Sequence, residues 1–210
     1  LKKSLLTGLP LKENIASAHE SAQKDWRSAR LAAKRALDFD EQAPLVFIFG
    51  GSQGSVAINE VIARSQQALA SQGVNILHGV GARSALPESK SGYKAVNYIS
   101  DMATAYLAAD LIIARSGAVT CAEVNTLGRY ALFIPLPIGN GEQNLNAASL
   151  ISQGRAEILP QAQFTAEWIA ANLSRLLARS SAAPISGSTI DIEATTKIVA
   201  LMDYALSGGK

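Results

Sequence analysis

Leu45-Val46-Phe47-Ile48-Phe49, running straight into Gly50-Gly51-Ser52-Gln53-Gly54 and then into Val56–Leu69, is the stretch whose reading decides the fold. An apolar run without polar alternation suits a strand covered on both faces. The glycines behind it permit a sharp turn, and the apolar positions from Val56 onward recur at the period of a helix. The unit is strand, tight turn, helix.

The same unit repeats downstream. Val74–His78, Lys94–Ile99, Asp110–Ala114 and Ala131–Ile134 are short strands of the buried type, with Glu157–Leu159 as a candidate sixth. Helices are expected over residues 101–109, 118–127, 142–153 and 165–178. This alternation predicts an α/β fold, a Rossmann-like doubly wound parallel sheet with helices on both faces. Upstream, an extended opening segment precedes an Ala-rich amphipathic helix over Glu13–Leu37; downstream, Ser180–Ser188 reads as a linker and Asp191–Leu206 as a last helix. The expected organisation is a connecting segment over 1–43, the Rossmann-like domain over 44–178, a linker over 179–190 and a terminal helix and tail over 191–210.

Composition narrows the class. With 48% hydrophobic and 17% charged residues in 210, the chain can bury a full core, and its net charge of +2 gives no reason to expect nucleic acid. The basic residues concentrate in residues 1–37, where Lys24, Arg27, Arg30 and Lys34 fall at helical spacing, as on a solvated helix face. The lone Cys121 excludes an intrachain disulfide and a cysteine-cluster metal site. The longest apolar candidate, Ala131–Ile138, is too short to span a bilayer and contains prolines. Because the sequence opens Leu1-Lys2-Lys3, it reads as a piece of a longer protein, and a partner domain is expected.

In a doubly wound sheet, ligands bind beyond the carboxyl ends of the strands, where turns into helices present free backbone amides. Gly50–Ser55 is one such turn; it lacks both the G-x-G-x-x-G and the Gly-Lys-Ser/Thr signatures. Arg115–Glu123, RSGAVTCAE, is a second: the amides of Ala118, Val119 and Thr120 would open a helix and suit a diphosphate, and Glu123 would offer a carboxylate to two ribose hydroxyls. Thr120-x-x-Glu123 is equally well read as a capping box. Pro137–Ala147 is a third, in which Glu142, Gln143 and Asn146 either cap a helix or bond sugar hydroxyls around the Gly139-Asn140-Gly141 loop. Tyr98–Met102 is a fourth, able to wall a base.

Taken together and in this order, GGSQG, Tyr-Ile-x-Asp-Met, RSGAVTCAE and GNGEQNLNA resemble the carboxy-terminal domain of the MurG family, the N-acetylglucosaminyltransferases of peptidoglycan synthesis, from about Pro44 to Leu177. The resemblance implies half of a GT-B glycosyltransferase that moves N-acetylglucosamine from UDP-N-acetylglucosamine to lipid I, giving lipid II with inversion and without a metal or other cofactor. It implies Ile99 and Met102 at the uracil, Glu123 at the ribose, Ala118, Val119 and Thr120 at the diphosphate, and Glu142, Gln143 and Asn146 at the sugar. Gly51 and Ser52 would face the donor phosphates, with Lys12 as a phosphate contact. Two positions depart from the family pattern: Glu142 stands where Gln or His is usual, and Lys12 where an arginine is expected.

The same resemblance places the acceptor loops and the general base in a missing amino-terminal domain, so no catalytic residue is assigned; His19 and His78 are poor candidates for the base. It implies a cytoplasmic location at the inner face of the plasma membrane, with a peripheral membrane contact allowed. Asp38-Phe39-Asp40 imitates a metal-binding D-x-D but follows a helix, and reads as a helix end. Alternatives are another UDP-sugar transferase of GT-B architecture, a UDP-N-acetylglucosamine 2-epimerase, a binding domain without chemistry, or an NAD-binding oxidoreductase domain. The last needs an acid at the end of the second strand, where this chain has His78-Gly79.

Overall fold

A computed structural model describes residues 4–137 and 141–207. Its centre is a six-stranded parallel sheet in the order β3-β2-β1-β4-β5-β6, built from β1 (Leu45–Phe49), β2 (Asn75–Gly79), β3 (Tyr93–Val96), β4 (Leu111–Ala114), β5 (Ala131–Phe133) and β6 (Ala156–Ile158). Around it lie α1 (Glu13–Lys24), α2 (Trp26–Ala36), α3 (Val56–Ala70), α4 (Met102–Ala108), α5 (Ala118–Thr126), α6 (Glu142–Ser152), α7 (Ala166–Ala182) and α8 (Ala194–Leu206). The strand order reverses between β1 and β4, which opens a crevice at their carboxyl ends.

The apolar runs are apolar because both faces are covered. Leu45, Phe47 and Phe49 of β1 join Ile112 and Ala114 of β4 in one core, capped by α1, α2, α4 and α5. Val46 and Ile48 join Leu111 and Ile113 in the other, under α3 and α7. Every residue of β1, β2 and β4 is buried. Each fully buried Val, Leu, Ile or Phe contributes about 1.5–3 kcal/mol, so these two layers outweigh any single polar contact.

Several boundaries differ from the sequence reading. The single helix expected over Glu13–Leu37 is two, because Asp25 leaves helical geometry (φ −156°, ψ 92°) and caps α2, accepting from the Ser28 amide at 3.1 Å. Asp38, at φ 60°, follows the end of α2. The strand expected to reach Ile99 stops at Val96, and α7 runs on to Ala182. The stretch beyond α7 packs against the sheet domain: a Cβ on Gly187 would lie 1.7 Å from the Thr126 carbonyl oxygen, so only glycine fits there. Asp191 accepts from the Leu9 amide at 2.8 Å, fastening the opening segment to the segment before α8. Gly139 and Asn140, singled out in the third turn, lie outside the described residues.

Both histidines are internal. His19 is 7% exposed, with Nδ1 2.7 Å from the Thr126 carbonyl oxygen. His78 is 1% exposed. Asn59 uses its amide nitrogen on the Val80 carbonyl at 2.8 Å and the Ser84 hydroxyl at 3.1 Å, which leaves its Oδ1 to accept from His78 Nε2 at 3.1 Å. Nδ1 of His78 then accepts from the Tyr93 hydroxyl at 2.9 Å, a neutral tautomer with both nitrogens used. Burial pushes its pKa down to about 4. The unfolded chain therefore takes up this proton first on acidification. The stability that neutral His78 contributes is complete above the ordinary pKa of 6.5 and is lost as pH falls toward 4. Urea unfolding between pH 7 and 4 should show wild type losing up to about 3 kcal/mol more than His78→Gln over this interval. Parallel curves for the two proteins would refute the assignment.

Candidate functional site

The crevice at the carboxyl ends of β1, β2 and β4 holds a cavity of about 200 Å³. Its floor starts from the glycine turn after β1. Gly51 is at φ 96° and Gly54 at φ 81°, and a Cβ on Gly54 would sit 2.0 Å from the Val80 carbonyl oxygen. The turns after β1 and β2 thus touch backbone to backbone, which holds Ser52 at the rim. Behind the site, Arg115 ties three turns together: it donates to the Ile134 and Pro135 carbonyls at 2.9 and 3.0 Å and to Ser55 Oγ at 2.8 Å.

The cavity's second wall is α5. Its N-cap is Gly117, with no side-chain capping bond, and Cys121 is the first residue whose amide reaches back to the Gly117 carbonyl, at 2.9 Å. The amides of Ala118, Val119 and Thr120 therefore have no helical carbonyl, at the positive end of the helix dipole. Thr120 lies inside the helix and does not cap it, so the capping-box reading of Thr120-x-x-Glu123 is wrong: the helix starts two residues earlier.

Glu123, one turn along, is 6% exposed and lines the cavity. Its Oε2 accepts from the Tyr106 hydroxyl at 2.8 Å, while Oε1 has no hydrogen bond among the described residues. Burial raises the Glu123 pKa above its ordinary value, against the opposing pull of the Tyr106 bond and of Lys12. Tyr106 is fully buried, edge-on to Phe47 and Phe49 with centroids at 5.7 and 6.0 Å, and its own pKa is driven well up by burial and by Glu123. A rigid tyrosine thus aims a carboxylate into the cavity.

Of the residues expected from sequence, Gly51, Ser52, Ile99, Met102, Val119, Thr120, Glu123 and Lys12 line the cavity together, and Ala118 stands exposed at the adjoining helix start. Glu142, Gln143 and Asn146 do not line it. Neither Gln143 nor Asn146 caps α6, whose N-cap is Gly141 at φ 74°. Gln143 accepts from the Leu136 amide at 3.0 Å, and Asn146 donates to the Ser116 carbonyl at 3.1 Å, which links α6 to the turn before α5. Sequence reasoning missed Phe49, Asn97 and Tyr106 in the lining. Among the described residues, Glu123 is the one acid and Lys12 the one cation in the lining, and β2 ends in His78-Gly79 with no carboxylate at the position a dinucleotide ribose requires.

Residues 45–199 match the glycosyltransferase family 28 C-terminal domain. The chain belongs to that family. A UDP-N-acetylglucosamine--N-acetylmuramyl-(pentapeptide) pyrophosphoryl-undecaprenol N-acetylglucosamine transferase of Corynebacterium glutamicum is 42% identical over 162 residues, 77% of this chain and 44% of that protein. The protein of the same name from Streptomyces coelicolor is 37% identical over 183 residues, 85% of this chain and 49% of that one. Among solved structures, Acinetobacter baumannii MurG superposes with a TM-score of 0.58 at 30% identity, covering 81% of this chain and 48% of its own. A calicheamicin glycosyltransferase has the same TM-score, 0.58, at 17% identity, covering 73% of this chain and 38% of its own, and shares the fold. The chain spans a little under half the length of the curated relatives it matches. Its fold is that of one Rossmann-like half of a GT-B glycosyltransferase.

The family 28 cavity makes a prediction that needs no ligand. In a carboxyl ¹³C NMR titration, Glu123 should ionise above the ordinary 4.5, and Tyr106→Phe, which removes the bond favouring the charged form, should move its midpoint higher still. A midpoint unmoved or lowered in Tyr106→Phe would contradict this role of the tyrosine.

Proposed function

We propose that this chain is the donor-binding domain of an inverting, metal-independent glycosyltransferase, which transfers N-acetylglucosamine from UDP-N-acetylglucosamine to lipid I and so forms lipid II in peptidoglycan synthesis. The observation that carries the proposal is the pairing of an uncapped α5 amino terminus with a buried, tyrosine-held carboxylate one turn further along the same helix. That pairing fits a nucleoside diphosphate at both ends. The amides of Ala118, Val119 and Thr120 donate to the pyrophosphate, aided by Lys12, and Glu123 accepts from the ribose hydroxyls. Ile99 and Met102, both half-buried in the lining, wall the base.

Charge grows on the β-phosphate as the sugar departs. Backbone donors and a helix dipole already in place stabilise that charge without rearranging, which is how this half contributes to catalysis without a metal. Ser52 and Gly51 flank the same phosphates. Glu142, Gln143 and Asn146 stand beyond the diphosphate seat as the sugar-reading set, with Asn146 held to the α5 turn through Ser116. The base that activates the acceptor hydroxyl belongs to the other half of the enzyme; His19 and His78 are both internal and bonded. The acceptor lipid places the enzyme on the cytoplasmic face of the plasma membrane as a peripheral protein. No helix among the described residues is long and apolar enough to cross a membrane.

Titration calorimetry of residues 1–210 should show binding of UDP and UDP-N-acetylglucosamine, none of NAD at similar concentration, and no sugar transfer. Glu123→Ala should weaken UDP by about 1.5–3 kcal/mol, or roughly 10- to 150-fold, with little change in helix content. NAD binding more tightly than UDP, or Glu123→Ala leaving UDP affinity intact, would overturn the proposal.

A further inference from the structure

At the opposite end of the sheet, the turns leading into β4 and β5 enclose a cavity of about 170 Å³ with α2 and the end of α7, lined in part by Trp26, Arg30, Asp110, Arg129 and Ser181. Its charges do not balance. The Asp110 carboxylate is fully engaged: it takes Arg30, Lys34 Nζ at 3.0 Å and the Leu45 amide at 2.7 Å. Arg129 is 6% exposed and has no acid partner among the described residues. Its Nε donates to the Leu127 carbonyl at 2.9 Å and its Cζ lies 3.3 Å above the Trp26 ring, while its two terminal nitrogens make no hydrogen bond among the described residues.

The surroundings add to this excess. Arg30 Nε and Arg155 Nε are both buried without a partner. Arg155, 6% exposed, spends its terminal nitrogens on the Asn125 and Ser186 carbonyls and meets no carboxylate among the described residues. Burial, then the charges of Arg30 and Arg155, push the Arg129 pKa down to about 9. A buried guanidinium without an acid partner is costly, and stacking on one indole offsets only part of that cost.

We propose that this cavity is a binding site for a phosphate-class oxyanion, free in solution or carried on an anionic lipid headgroup, held by the terminal nitrogens of Arg129 beside the positive charge of Arg30. A guanidinium offers paired donors at the spacing of two phosphate oxygens, and the stacking of Arg129 on Trp26 fixes the plane of that fork. The cavity exceeds the share of a single water, about 30 Å³, several-fold, so a tetrahedral oxyanion and some of its hydration fit. The site is independent of the cleft at the carboxyl ends and of what binds there.

The chain has two tryptophans, so in a Trp168→Phe background Trp26 reports alone. Potassium phosphate titrated against potassium chloride at constant ionic strength, with UDP at saturation, should give a saturable change in Trp26 fluorescence and a rise in unfolding midpoint of about 2–4 °C. Arg129→Met should abolish both responses, keep UDP affinity within about twofold, and unfold no earlier than wild type without phosphate, because it removes a buried charge that has no partner. In a second arm, co-sedimentation with phosphatidylglycerol vesicles but not phosphatidylcholine vesicles, lost in Arg129→Met, identifies a lipid headgroup as the source. An Arg129-dependent response in either arm supports the site. No response in both arms, or one that persists in Arg129→Met, overturns it. Should Arg129→Met not fold, the Trp168→Phe protein decides in both arms: a saturable Trp26 response or phosphatidylglycerol-selective co-sedimentation supports the site, and no response in either overturns it. Absence of UDP binding in the wild-type chain together with an Arg129-dependent phosphate response would refute the proposed function and leave this site standing.

Discussion

The central strands β1 and β4 carry no polar side chain. Both faces of these strands are covered, and their layers of Leu, Ile, Val, Phe and Ala leave side-chain hydrogen-bonding capacity only beyond the strand ends. All the chemistry of the domain is therefore displaced to two rims. At the carboxyl rim, glycine turns and the open start of α5 present amides; at the amino rim, Asp110 gathers Arg30 and Lys34 and locks α2 onto the start of β1. The stability of the sheet is what allows strained turns and a buried carboxylate to be held at its edge.

The carboxyl rim shows how a buried charge is made useful. Glu123 sits where burial opposes ionisation, yet the Tyr106 hydroxyl and Lys12 favour the charged form. Tyr106 in turn is fixed by Phe47 and Phe49, so the apolar strand β1 governs the orientation of the acid. Arg115 performs the complementary task behind the turns, joining the segments after β1, β4 and β5 through side-chain and carbonyl contacts. A cleft built this way is formed before any ligand arrives, which is the condition for electrostatic stabilisation of a leaving group.

Much of this was legible in the residues. Unbroken apolar strands and glycine turns carried the parallel sheet, because pattern and burial are tightly coupled there. The residues brought into the cavity, from Gly51 and Ser52 to Glu123, lie in turns whose sequence order marked them. Tyr106 was not legible: in a helix that otherwise reads as core, nothing in its spacing distinguishes a hydroxyl aimed at a carboxylate from ordinary packing. The break at Asp25 was written in the sequence, since Asp25-x-x-Ser28 is a cap, but the basic stripe running through it suggested one continuous helix. Thr120-x-x-Glu123 misled in the opposite sense, because the capping pattern is real in form while Gly117 already starts the helix. The pairing of Gln143 with Leu136 and of Asn146 with Ser116 depends on how separate turns meet, which no local pattern encodes. For the same reason the arginine excess at the amino rim appears only once residues 30, 129 and 155 are folded together.

The central claim is that the open amides of α5 seat a pyrophosphate. A crystal structure of the chain soaked with UDP tests it most directly. The account predicts β-phosphate oxygens within hydrogen-bond distance of the amides of Ala118–Thr120, with both ribose hydroxyls on Glu123. A nucleotide bound elsewhere, or lying in the cavity with its phosphates turned away from α5, would contradict it.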